Sequence, residues 1–219
     1  MLLLGLDTST PATTVAVLDG PRVLASGTAV DARRHGELLA PLIAATLRDA
    51  GARPGDLTAV AAGVGPGPFT GLRIGLVTAA ALGDAIGIPT YGVGSLDALA
   101  GAHPGPLTVV TDARRREVYW ASYDPGGTRV AGPAVDLPRV LAGRLPSGER
   151  LAGAGARLYE GDFAGFPVIP DSDYPAAAMV ARLALPRAES GCPTEPLTPL
   201  YLRRPDATPP GPPKAVLRR

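Results

Sequence analysis

Few side chains in this sequence have the type and spacing to do chemistry, and several of them sit beside glycine or proline. Gly65-Pro66-Gly67-Pro68 leads from a buried-strand pattern at 57–64 into a helix starting near Phe69. Gly65 and Gly67 relieve the steric limits on the backbone while Pro66 and Pro68 stiffen it, so one fixed turn is specified. That turn either offers the free amides of the helix start to an anion or only aims the helix that follows. His35, with Arg34 and Glu37 beside it, is a candidate general base. The alternative is a helix-start residue whose ring bonds a nearby carbonyl or solvent. His103, between Ala102 and Pro104, falls in an expected exposed loop. These two histidines lie far apart and Cys192 is the single cysteine, so no disulfide and no cysteine-based metal cluster is expected. Arg114-Arg115-Arg116 is a basic run at an expected hairpin tip, read either as a solvated turn or as a contact for RNA phosphate. No His-Glu-x-x-His occurs to suggest a zinc peptidase.

These groups need elements to hold them. Residues 2–6 read as a buried strand, 13–18 as a second after the Ser9-Thr10-Pro11 turn, and 23–30 as a third, an antiparallel meander. A helix is expected over 37–50, with Leu38, Leu39, Leu42, Ile43, Thr46 and Leu47 on one stripe, Pro41 near its first turn and Gly51 closing it. The helix over 70–86 carries only Arg73 and Asp84 as charges and is apolar nearly all round. Gly71, Gly75, Ala79 and Gly83 recur every four residues along it, a slanting row of small side chains that admits a second helix closely. Packing on the protein's own sheet explains the same row. A short strand near Tyr91 follows, and Ser95 starts a short helix through Ala100.

Beyond 101–105 a second lobe opens with strands over 107–111 and 117–123. Asp7 and Asp19 lie 12 apart, as do Asp112 and Asp124, marking the same strand–Asp–turn–strand unit in both halves. That is the pattern of a duplicated α/β domain. A helix over 176–188 should end early at Pro186, and 198–203 reads as a short strand or a docking segment. The remainder, 205–219, is Pro-rich and expected to be a flexible tail.

Composition narrows the classes. At 219 residues the chain can bury one large core or two modest ones. Its 21 basic and 20 acidic side chains leave a net charge of +1, so nothing in the charge balance marks a dedicated polyanion binder. The apolar start stops at Asp7, too short for a signal-peptide core, and Arg73 and Asp84 interrupt the one stretch near membrane length, 71–88. A soluble, cytoplasmic chain is expected.

Five blocks together resemble the TsaB family, the dimerisation subunits of the bacterial tRNA threonylcarbamoyladenosine machinery. They are Leu4-Gly-Leu-Asp-Thr-Ser-Thr10, Arg34-His-Gly-Glu-Leu-Leu39, Gly63-Val-Gly-Pro-Gly-Pro-Phe-Thr-Gly-Leu-Arg-Ile-Gly75, Asp112-Ala-Arg-Arg-Arg-Glu-Val-Tyr119 and Pro199-Leu-Tyr-Leu-Arg203. The resemblance implies an α/β, two-lobed actin-like/Hsp70-like (RNase H-like) fold with mixed sheets flanked by helices and a reduced second lobe. The lobes would be 1–104 and 105–204. It further implies a non-catalytic scaffold that binds and activates a TsaD-like transferase, with a TsaE-like ATPase as third member. That assembly moves threonylcarbamoyl onto adenosine 37 of tRNAs reading codons that begin with A, so tRNA is met through the complex. The expected partner interface is Leu38, Leu42, Phe69, Gly71, Arg73, Gly75, Ala79 and Gly83. Asp7, Thr8, Ser9, Thr10 and Asp112 correspond to the nucleotide-binding turns of the fold class, with ATP or ADP at the partner interface as the implied ligand and no other cofactor; the alternative is a turn in which these side chains bond local backbone. The transferases' His-x-x-x-His metal positions fall on Ser95 and Leu99, so no metal and no catalytic residue is expected. Two other readings stay open: a stand-alone ATP-dependent kinase or ATPase, and a peptidase. A homodimer through the same helices is a further expected state.

Overall fold

The computed structural model describes residues 1–203. Strands β1 (Leu2–Asp7), β2 (Ala12–Asp19) and β3 (Arg22–Val30) form the antiparallel meander. Strands β4 (Ala59–Gly63) and β5 (Thr90–Val93) add in parallel, giving the order β3-β2-β1-β4-β5. β1 is an almost unbroken apolar run because both faces of the sheet are covered, and alternate residues serve opposite cores. Leu4 and Leu6 pack under helices α1 (His35–Asp49) and α2 (Phe69–Ile86), with Leu39, Ile43 and Leu76. Leu3 faces the other way, toward Val180, Ala181 and Ala184.

That valine and those two alanines belong to a helix near the C-terminus, over Ala177–Glu189, which lies across β1, β2, β4 and β5 of the first sheet. The lobe boundary expected from sequence is therefore corrected: after the second lobe the chain returns to the first, and 177–200 packs there before Leu202 and Arg203 touch the second lobe again. Gly5 permits this return, since any side chain there would overlap the Ala177 carbonyl.

The second sheet is smaller. Helix α3 (Ser95–Gly101) leads to β6 (Leu107–Asp112), β7 (Val118–Tyr123), β8 (Arg129–Asp136) and β9 (Leu151–Ala152), in the order β8-β7-β6-β9. Short helices α4 (Pro138–Ala142) and α5 (Ala154–Leu158) flank it, and the returning helix over Ala177–Glu189 is α6. Two mixed sheets with helices packed on them give the two-lobed, actin-like α/β architecture, the second lobe reduced. The internal repeat is geometric as well as sequential: Asp7 accepts the Ser9 amide and Asp112 accepts the Arg114 amide, each two residues on.

Both proline expectations need adjustment. α1 starts at His35, so Pro41 lies inside the helix rather than in its first turn. Pro186 sits within α6, which continues to Glu189. Each proline removes one amide from the helix ladder, at Glu37 and Arg182 respectively, and both of those residues are exposed, where water takes the donor's place. The tail expected at 205–219 lies outside the described residues.

A two-faced helix and an inter-lobe cleft

α2 has a buried face and an exposed face, and the sequence did not distinguish their uses. Gly71, Gly75, Ala79 and Gly83 are all buried against the chain's own sheet. A side chain at Gly71 would meet the Thr8 carbonyl, one at Gly75 would meet Thr8 Oγ1 and Leu6, and one at Gly83 would meet Thr90. Thr8 fastens this seam: its hydroxyl donates to the Gly71 carbonyl at 2.7 Å and accepts from the Gly75 amide at 3.1 Å. The small-residue row is thus an internal packing seam, and these four positions are withdrawn as partner contacts. Leu42 is also turned inward, half-buried with its Cδ1 over Gly27 of β3, and Leu38 is half-buried beside it.

What α2 leaves outside is a different set of residues. Phe69 is 45% exposed and Val77 65% exposed, with Arg73, Ala81 and Asp84 on the same side. Neighbouring α1 exposes Gly36, Ala40, Pro41 and Ala44, so two adjacent helices present a surface of small and apolar side chains with few charges. Of the expected interface residues, Phe69 and Arg73 lie on this surface. Helix α2 is long and apolar enough to cross a membrane by length and composition. Its inner face covers the sheet.

Sequence reasoning missed one member of this surface. Of the two expectations for 198–203, the docking segment is what is found and the strand is not: residues 194–203 run as a docked strap, and what the sequence did not show was the use of Tyr201. The Glu195 amide donates to Thr90 O and the Leu200 amide to Val64 O, which lays the strap along β5 and across the start of α2. Tyr201 then stacks on Phe69 with ring centroids 5.2 Å apart, and its hydroxyl accepts from Arg73 Nε at 3.0 Å. The Arg73 guanidinium lies 3.8 Å from the Phe69 ring centroid. Such cation–π and stacking contacts contribute about 1 kcal/mol each and fix the rotamers of three large, exposed groups. Tyrosine at the centre of Pro199-Leu-Tyr-Leu-Arg203 was the available signal. Arg203 ends the strap on the second lobe, donating to the Ala113 carbonyl and pairing with Glu117.

The Asp7 turn lies beneath. Asp7 is 1% exposed and accepts from the Ser9 amide, the Ser9 hydroxyl and the Ser95 hydroxyl, at 2.8, 2.7 and 2.5 Å. Ser95 Oγ also accepts the Gly65 amide, so one carboxylate ties β1, the Gly/Pro loop and the start of α3 together. The Gly/Pro loop accordingly aims a helix. Burial raises the Asp7 carboxyl above the ordinary carboxylate range, and the hydrogen bonds from Ser95 and Ser9 offset part of that shift. The folded chain then holds this proton more tightly than the unfolded chain, so stability falls as pH rises from about 4, the unfolded value, through the folded one. Asp7→Asn should flatten that part of the pH profile in thermal melts. Asp7→Ala leaves three buried donors without an acceptor and should cost about 3 kcal/mol. An Asn variant with the wild-type pH profile would contradict this assignment.

Between the lobes lies a cleft of about 410 Å³, lined by Ser9, Thr10 and Pro68 on one side and Asp112, Arg114 and Arg157 on the other. The expected nucleotide-binding residues fit a nucleotide poorly. The Thr8 hydroxyl is spent on α2, the Ser9 hydroxyl on Asp7, and Thr10 Oγ1 on the Ala12 amide. Arg157 is paired with Asp173 at 2.7 Å, and Asp112 accepts from the Arg114 amide and from the Tyr159 hydroxyl. Ser95 and Leu99, the positions aligned with metal ligands, are both buried, Leu99 within the second-lobe core. Among the described residues no group of three or more His, Cys, Asp or Glu comes together to hold a metal.

His35 bonds neither a carbonyl nor only solvent: its Nδ1 lies 2.7 Å from the Thr13 hydroxyl, and its ring packs on Gly71. Burial lowers its pKa, with Asp31 opposing. It joins α1 to β2 and α2, a structural place. His103 is half-buried rather than exposed, and burial and Arg150 lower its pKa.

The hairpin tip between β6 and β7 is conformationally unusual. Arg114, Arg115 and Arg116 stand at φ 63, 52 and 62, three successive side chains in the left-handed region. Each such residue costs roughly 1–2 kcal/mol. The turn is closed by the Glu117 amide on Arg114 O and the Ala113 amide on Glu117 O, both at 2.9 Å.

Comparison with known proteins places these features. The TsaD family model, described as tRNA N6-adenosine threonylcarbamoyltransferase, matches residues 24–174. An uncharacterized protein of Mycobacterium tuberculosis is 48% identical over 209 residues, 94% of each chain. The tRNA threonylcarbamoyladenosine biosynthesis protein TsaB of Escherichia coli is 38% identical over 128 residues, 56% of this chain and 55% of that one. Among solved structures, YeaZ from Pseudomonas aeruginosa superposes with a TM-score of 0.76 at 32% identity, covering 92% of this chain and 99% of its own.

Proposed function

The chain is a TsaB-like member of the TsaD family, and from that premise we propose that it serves threonylcarbamoyladenosine biosynthesis on tRNA as a docking subunit, binding a TsaD-type transferase and supporting its active state. The observation that carries this reading is the outer surface of α1 and α2. Phe69, Arg73 and Tyr201 form a pre-ordered aromatic–guanidinium anchor beside Val77 and Ala81. Aromatic and arginine anchors in an apolar surround are what partner recognition uses, and holding their rotamers beforehand lowers the entropy lost on binding. The polar groups of the Asp7 turn are engaged in holding the fold, which supports a role without chemistry of its own. Nucleotide, if it joins the assembly, is better held by groups of the partner than by Asp7 to Thr10.

A second copy of this chain fits the same surface. Beside α2 runs an apolar groove of about 500 Å³ lined by Leu76, Val77, Ala80 and Leu197, with Arg73 and Asp84 among its polar residues. Asp84 lies eleven helical positions after Arg73, about 16 Å along the axis. Among the described residues Arg73 has no carboxylate partner and Asp84 no cation. A two-fold axis across the helix brings each against the other's counterpart. Heteroassociation and self-association then compete for one face.

Reconstitution tests the reading. A purified TsaD-type transferase, supplied with tRNA and its threonylcarbamoyl donor, should modify adenosine 37 efficiently only when this chain is added at equimolar ratio. The chain alone should give no modified tRNA. Equal modification with and without it would overturn the proposal.

A further inference from the structure

The arginine turn presents guanidinium groups on two sides of the second lobe. Arg114 lines the inter-lobe cleft, whereas Arg116 lines a separate cavity of about 530 Å³ together with Arg139, Tyr159, Asp162, Leu137 and Leu158. Neither the Arg116 nor the Arg139 guanidinium makes a hydrogen bond or ion pair among the described residues. Tyr159 spends its hydroxyl on Asp112, and Glu117, next to the turn, is paired by Arg203. The one carboxylate lining the cavity is Asp162, so the charge balance there is positive. Leu137 and Leu158 are exposed at 38% and 59%, a rim on which a ribose or base can rest. A solvated hairpin needs none of this. Glycine would adopt the left-handed backbone freely, yet three arginines occupy it, fastened by the Asp112 carboxylate and the Arg203 guanidinium.

We propose that this cavity is an RNA contact, in which Arg116 and Arg139 grip a phosphodiester of the tRNA while its sugar or base lies against Leu137 and Leu158. Paired guanidinium groups suit phosphate oxygens because their donors match them in pairs. The assignment to tRNA rests on the proposed role in tRNA modification. It adds that the second lobe touches the substrate directly, on a different lobe from the partner-facing helices.

The test is a titration of labelled tRNA into the chain with its transferase partner, and into the chain alone, at several salt concentrations. Arg116→Gly combined with Arg139→Ala should weaken tRNA binding tenfold or more and make the salt dependence shallower by about one unit of slope. Arg116→Gly alone should raise the melting temperature while weakening tRNA binding, an outcome that a purely structural role does not produce. Unchanged tRNA affinity and slope in the double variant would overturn the proposal. Displacement of tRNA by equimolar AMP would overturn it in favour of a mononucleotide site. The double variant should bind the partner as the wild type does; a wild-type chain that binds no partner refutes the docking role, and the titration of the chain alone still decides the RNA contact.

Discussion

Val77→Asp should leave the free chain folded and lower its affinity for a TsaD-type partner at least a hundredfold. Val77 is 65% exposed at the middle of the outer face of α2, so the free chain can solvate an aspartate there. Surface substitutions of this kind change stability by about 0.5 kcal/mol or less. In a docked complex the same carboxylate is buried among apolar groups; the cation one turn away, Arg73, is engaged with Phe69 and Tyr201, so pairing with it breaks that anchor and leaving it unpaired costs about 3 kcal/mol or more. A hundredfold loss corresponds to about 2.7 kcal/mol, within that cost. Calorimetric titration checks the affinity and a thermal melt checks the fold. Undiminished binding by the variant would remove α2 from the interface.

Gly75→Ala should have the opposite signature. By intrinsic propensity the change favours a helix by about 1 kcal/mol. Here the added Cβ would overlap Thr8 Oγ1 and press on Leu6, so α2 must lift from β1 and lose the hydrogen bond it accepts from the Thr8 hydroxyl and the one its Gly75 amide donates to it. Overpacking together with unpaired buried groups should cost about 3 kcal/mol, visible as a lower denaturation midpoint before any partner is added. A Gly75→Ala chain of wild-type stability that merely fails to bind its partner would restore the glycine row as an interface.

That contrast also measures what the sequence could tell. Four-residue spacing of small residues reports that something approaches α2 closely, and this was legible. It does not report what approaches. The neighbours, Leu6 and Thr8, come from more than 60 positions earlier in the chain and meet the helix only once β1 is in the sheet. The meander and both parallel strands were legible because continuous apolar runs have few other uses in a sheet covered on both sides. The return of α6 to the first lobe was not, since an alanine-rich stripe fits either sheet. Tyr201 was missed as an anchor for the same reason as Thr8: its partners Phe69 and Arg73 are distant in sequence, and the strap that carries it has no periodic pattern. Asp7 was found by type and position, with two uses open, a phosphate-binding turn and a turn bonded to its own backbone. A strand-ending aspartate followed by hydroxyl residues suits a phosphate and suits an internal lock equally, and only the Ser95 hydroxyl, brought from the start of α3, decides for the lock.

Hydrogen exchange on the complex is the most direct test of the central claim, that α1, the outer face of α2 and the strap form the docking surface. Adding a saturating TsaD-type transferase should slow amide exchange in peptides covering α1, α2 and the strap around Tyr201, while β8 and the second-lobe hairpin exchange as in the free chain. Protection confined to the second lobe, or no protection anywhere at saturating partner, would contradict it.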